Sequence, residues 1–119
     1  EGSAQWFSTA FGFENFDQLI NYQKRDAEND LYQKKVSPEY VGAVLSTNTV
    51  ASENGWLAYN VGSKVMEALV VLKGVDSILE FYNLGAKGQS FESAFQSIYG
   101  ITWAEAKPIL TQAISNHYK

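Results

Sequence analysis

Apolar residues recur at three- and four-residue spacing through the second half of the chain, the pattern of helices that bury one face. The clearest run is Leu57 to Leu72, where Leu57, Val61, Val65, Leu69 and Leu72 form one stripe and Lys73-Gly74 supplies a stop. A second helix is predicted from about Asp76 to Ala86, with Ile78, Leu79, Tyr82 and Ala86 inward and Gly88 closing it. Ser90 then caps a short helix whose Phe91, Ala94, Phe95 and Ile98 sit at i, i+3, i+4 and i+7, and Gly100 terminates it. Thr102-Trp103-Ala104-Glu105 reads as a capping box that opens a last helix, with Trp103, Ala106, Ile109, Leu110, Ala113 and Ile114 on its apolar face. Pro108 lies beyond the first turn of that helix and is expected to kink it or shift its start. The two helix starts echo each other: Gly88-x-Ser90-Phe91-x-x-Ala94 and Gly100-x-Thr102-Trp103-x-x-Ala106 read as one capping solution used twice.

The first half is less regular. Glu1 to Phe11 reads as a short helix with Ala4, Phe7 and Phe11 on one side and Gly12 closing it. Phe16 to about Tyr32 reads as another, with a weaker stripe of Leu19, Ile20, Gln23, Ala27 and Leu31 and a solvated face of Lys24, Arg25, Asp26, Glu28 and Asp30. Tyr40 to Leu45 reads as one or two turns after Ser37-Pro38, and Ser46 to Gly55 as a long polar loop. No linker divides the chain, so residues 1–119 are expected to form a single helical domain. The expected fold is all-α, a compact orthogonal bundle of five to seven helices with no sheet of three or more strands. Its second-half core is expected to hold Val61, Val65, Leu69, Leu72, Ile78, Leu79, Tyr82, Phe91, Phe95, Ile98, Trp103, Leu110 and Ile114.

Composition narrows the chemistry more than the fold. The 119 residues are 45% hydrophobic, and no apolar run approaches the roughly 18 residues of a membrane helix. The absence of cysteine excludes a disulfide framework, a thiolate zinc site and a cysteine nucleophile. A single histidine, His117, excludes any site that needs two; it sits near the end of the last helix, where a cation complements the helix dipole. The net charge of −4 is concentrated in residues 1–60, with 8 acidic and 4 basic side chains, and nothing in it attracts a nucleic-acid backbone. Asp26, Glu28 and Asp30 lack the glycine and closing glutamate of a calcium loop. There is no phosphate-binding glycine loop and no Gly-x-Ser-x-Gly elbow, so spacing alone yields no active site. Because Glu1 stands first and Met66 is the sole methionine, the chain is expected to be a processed product or a fragment; Glu1 to Ala10 shows no signal-peptide pattern.

The opening Glu1-Gly2-Ser3-Ala4-Gln5-Trp6-Phe7 resembles the Glu-Gly-x-Ala-x-aromatic-aromatic segment of gluzincin metallopeptidases, zinc enzymes with an H-E-x-x-H motif and a downstream glutamate ligand. The likeness continues in order. Tyr59-Asn60-Val61-Gly62 looks like the Tyr-x-x-Gly that opens a later helix of the family, as in its aminopeptidase branch. Gly74, Phe81-Tyr82, the segment from Gly88 to Phe95 and Tyr99-Gly100-Ile101-Thr102 look like the helical tail of bacterial peptidase-MA-like domains.

The resemblance implies that Glu1 is the third protein ligand of a zinc ion. It implies that Tyr59 donates its phenolic hydrogen to the oxyanion of a tetrahedral intermediate, and that Gly62 lets its helix approach a neighbour closely. Taken as residues alone, Glu1 reads as a terminal side chain and Tyr59 as an amphipathic residue at a helix start. The chain departs from the family in carrying no H-E-x-x-H, so it is expected to be inactive by itself, to hold no stoichiometric zinc and to have no cofactor of its own. Zinc would belong to a parent domain whose N-terminal half lies upstream of Glu1. The expected partners are that missing half or a second copy, a dimer covering the face near Glu1, Trp6, Phe7, Trp56 and Tyr59. No nucleic acid and no membrane span are expected. The compartment is not encoded, although the resemblance is compatible with an extracytoplasmic setting. The alternative is a non-enzymatic helical scaffold or protein-interaction module.

Overall fold

The computed structural model describes residues 15–46 and 55–119. The helix expected over Glu1 to Phe11 and nearly all of the loop expected after Ser46 lie outside these residues. Among the described residues the chain is all-α, with seven helices and no strand: α1 Phe16–Ala27, α2 Asp30–Lys35, α3 Pro38–Ser46, α4 Gly55–Lys73, α5 Asp76–Ala86, α6 Phe91–Tyr99 and α7 Trp103–His117. The expected bundle is present. The long helix expected from Phe16 to Tyr32 is instead two, because Asn29 caps a new start: its Oδ1 accepts the Tyr32 N–H at 3.2 Å and its carbonyl accepts the Gln33 N–H at 2.9 Å. Ser37 does the same for α3, its Oγ accepting the Tyr40 N–H at 3.2 Å, with Pro38 at the first helical position where no N–H is needed.

The later boundaries fall where the cap residues put them. After α5, Gly88 takes φ +90°, its N–H donates to the Gly85 carbonyl and the Gln89 N–H donates to that of Leu84, the paired bonds of a Schellman stop. Ser90 accepts the Ser93 N–H at 3.2 Å to start α6, and Gly100, at φ +78°, ends it. Thr102 and Glu105 form the expected capping box: Thr102 Oγ1 accepts the Glu105 N–H at 3.1 Å, and Glu105 Oε2 accepts the Thr102 N–H at 2.8 Å. The Thr102 N–H, and after it the Thr102 hydroxyl donating to the same Oε2 at 2.7 Å, hold the Glu105 carboxyl below its ordinary value. Helix α7 starts at Trp103 and runs continuously through Pro108, so the proline does not shift its start.

Helices α4 and α7 share the centre: α4 packs against α3, α5 and α7, α7 against α3, α4 and α6, and α5 pairs with α6. The buried core joins Val36, Val41, Leu57, Val61, Val65, Leu69, Ile78, Phe95, Ala106, Leu110, Ile114 and Tyr118. Five rings tie the C-terminal helices together. Phe81 stacks on Phe91 at 5.3 Å, while Phe95 meets Tyr99 at 4.8 Å and Trp103 edge-on at 5.1 Å. The buried Ser77 hydroxyl donates to the Gly74 carbonyl at 2.7 Å, which leaves Tyr99 as the donor in its 2.9 Å bond to Ser77 and pins the α4–α5 turn to the end of α6.

Four residues assigned to the core are open. Leu72 is 69% exposed, Tyr82 58%, Leu79 52% and Phe91 52%; Ile109, placed on the inner face of α7, is 64% exposed. The period puts Leu72 on the right face, but among the described residues no neighbour covers the last turn of α4: a groove of about 360 Å³ remains there, lined by Leu69, Leu72, Ile101 and Ile109 among others. On α5 the inward face is Ile78, Phe81 and Leu84, one step round from the Leu79 and Tyr82 pair. Phe91, the first residue of α6, stacks on Phe81 and lines a second apolar groove of about 400 Å³ between α4, α5 and α6.

Candidate functional site

Of the residues implied by resemblance, Glu1, Trp6 and Phe7 lie outside the described residues, as does the side chain of Trp56. Tyr59 is half-buried near the start of α4, with Gly62 one turn further on. Among the described residues no group of three His, Cys, Asp or Glu side chains could hold a metal ion, and no helix is long and apolar enough to cross a membrane.

Asn60, the next residue along α4 from Tyr59, belongs to a polar cluster. Asp26, read from the sequence as part of a solvated face, is instead buried where α1 meets α4 and the end of α7. Its Oδ2 accepts the Tyr118 hydroxyl at 2.9 Å, and its Oδ1 accepts Asn60 Nδ2 in a long bond of 3.5 Å. His117 brings Nε2 to 3.8 Å from the same Oδ2, too far for a hydrogen bond, and that nitrogen is buried without a hydrogen-bond partner. A turn away, Lys64 donates to Gln23 Oε1 of α1 and to Glu67 Oε2 of its own helix at 3.2 Å. Tyr118 is 1% exposed and receives the edge of Tyr32 at 5.9 Å. His117 does stand at the end of the last helix as expected, but it faces a carboxylate as well as the helix terminus.

The helical period contains a signal for this cluster. Leu19, Tyr22, Gln23 and Asp26 follow i, i+3, i+4 and i+7, and all four are at least half-buried, whereas Ile20 is 48% exposed. The charge of Asp26 argues for solvent, and its partner Tyr118, 92 residues away, is invisible to local spacing.

Burial first, then the charge of Asp26 and the hydrogen bond to it, push the Tyr118 phenol far above its ordinary value of 10.0. The unfolded chain ionises this phenol near 10 while the folded chain keeps it neutral. This contribution to stability is therefore complete below about pH 10 and declines as the pH rises beyond it. Denaturant midpoints measured from pH 8 to 11 are expected to fall more steeply for the unsubstituted protein than for Tyr118→Phe; parallel profiles would contradict the assignment.

Compared with protein-family models, with curated proteins and with solved structures, the chain finds no significant match.

Proposed function

We propose that this chain is the C-terminal helical part of a gluzincin-type zinc metallopeptidase domain. Glu1 is its contribution to the metal site and Tyr59 its contribution to the oxyanion site. The supporting observation is that three glycines and two hydroxyls of the resembling tail have a structural task in this fold. Gly74, Gly88 and Gly100 take left-handed φ, and Ser90 and Thr102 cap the helices that follow the last two. Tyr59 and Gly62 share α4, so the phenol sits on a helix that packs against three others.

In this reading the two histidines and the general-base glutamate come from a segment preceding Glu1, and the chain alone is inactive. Glu1 and the upstream histidines would hold the zinc, which would supply a Lewis acid for the scissile carbonyl and for the attacking water. Tyr59 then donates a hydrogen bond to the charge that develops on the substrate oxygen, an interaction whose loss typically costs about 10²–10³ in kcat.

The test is to read and express the parent sequence upstream of Glu1. An H-E-x-x-H there, one zinc per chain, loss of that zinc in Glu1→Gln, and retained zinc with much reduced kcat in Tyr59→Phe are the expected results. An upstream segment without the motif, or zinc content indifferent to Glu1, defeats the reading.

One observation favours a second reading, a non-enzymatic helical interaction module that self-associates or docks a partner. Leu72, Leu79, Tyr82, Phe91 and Ile109 leave apolar surface open on the C-terminal helices. A strictly monomeric mass by light scattering across a concentration series would remove self-association from it.

A further inference from the structure

We propose that α1 is a detachable strap, clasped to the bundle by Asp26 and Gln23, and that its release bares the polar face of α4 that carries Asn60, Ser63 and Lys64. Three observations carry this.

Among its described side chains, α1 contributes none to the buried apolar core, and its one buried side chain is the carboxylate of Asp26. The long-range hydrogen bonds resolved for α1 are polar and lead to two separate elements: Asp26 to Tyr118 after α7 and to Asn60 on α4, and Gln23 to Lys64 on α4. Asn29 interrupts the helix directly behind α1, so α1 can move about Glu28-Asn29 without dragging α2 with it.

An apolar helix face resists lifting in proportion to the surface it would expose to water. Leu19 and Tyr22 on the inward face of α1 are only half-buried, its buried group is the Asp26 carboxylate, and Asp26, Gln23, Asn60 and Lys64 all regain water when they part, so α1 resists less than a buried apolar face would. The burial of Ser63 and the 11% exposure of the Lys64 side chain show that the face beneath α1 is covered while the clasp is closed. Elements with few buried apolar contacts are the ones that open below the free energy of global unfolding.

The experiment is native-state amide hydrogen exchange on the full chain, comparing the unsubstituted protein with Tyr118→Phe and Asp26→Asn. Tyr118→Phe keeps the ring in the core and deletes only the hydroxyl that reaches Asp26. Asp26→Asn keeps the shape and removes the charge, so it gives the same readout should the first variant fold poorly. Amides of α1 in the unsubstituted protein are expected to exchange faster than those of α4. In Tyr118→Phe they are expected to speed up about 10- to 100-fold, the loss of one hydrogen bond to a charged acceptor, and to stay faster than the amides of α4 and α6, which exchange only through larger openings. Amides of α1 that exchange no faster than those of α4 in the unsubstituted protein, or unchanged exchange of α1 in both variants, overturn the proposal.

Discussion

Replacing Phe95 by alanine is expected to cost about 3–5 kcal/mol, a large share of the roughly 5–15 kcal/mol that holds a domain together. Phe95 is 1% exposed and touches rings from three helices: Phe81 of α5, Phe91 and Tyr99 of its own α6, and Trp103 of α7. Truncation therefore opens a cavity that four rigid rings cannot readily collapse into, which places the variant at the costly end of the core-truncation range. Urea denaturation should show a lower midpoint at unchanged slope. Phe91→Ala is the internal comparison. Its ring is half exposed and should cost clearly less, so equal losses would mean that the cluster is not centred on Phe95.

Tyr118→Ala is expected to have a comparable effect by a different route. The ring is 1% exposed and belongs to the same continuous core, so its removal carries the cavity cost of about 3–5 kcal/mol for an aromatic side chain. It also takes from Asp26 the donor at 2.9 Å and leaves the long 3.5 Å bond from Asn60. A buried carboxylate stripped of its partner costs a further sum of about 1–3 kcal/mol. The two costs do not add in full, because α1 can lift and return Asp26 to water. Chemical denaturation of Tyr118→Ala beside Tyr118→Phe separates ring from hydroxyl; an alanine variant no weaker than the phenylalanine one would show that the ring is not part of the core.

Helix boundaries are legible wherever a cap residue writes them. The Gly88 stop of α5 and the Ser90 and Thr102 starts follow from side chains and glycines that act on the backbone within a few residues, so a local reading suffices. The faces are less legible. Periodicity places Leu72 on the same stripe as Val65 and Leu69, but which turn of α4 has a neighbour depends on where α7 packs, and that is not a local property. Asp26 marks the same limit from the other side: its position on the helix points inward, its charge outward, and only Tyr118 decides between them. Asn29 is a cap signal in the sequence, yet the apparent continuity of the stripe from Leu19 to Leu31 outweighs it in a local reading. As for the candidate site, the position of Tyr59 on a helix follows from spacing, whereas the chemistry assigned to it rests on resemblance.

The three left-handed glycines, Gly74, Gly88 and Gly100, meet no heavy atom within 4 Å of where a Cβ would stand, so space does not require them; backbone conformation does. The route of the chain through α5, α6 and α7 is therefore recorded at its corners, in glycines and capping hydroxyls, and the spans between corners are free to be rewritten. Apolar residues inside a span can exchange size and shape with their neighbours at modest cost as long as volume is kept. Relatives of this domain should be recognisable by the spacing of their corners after the identity of their cores has drifted beyond comparison.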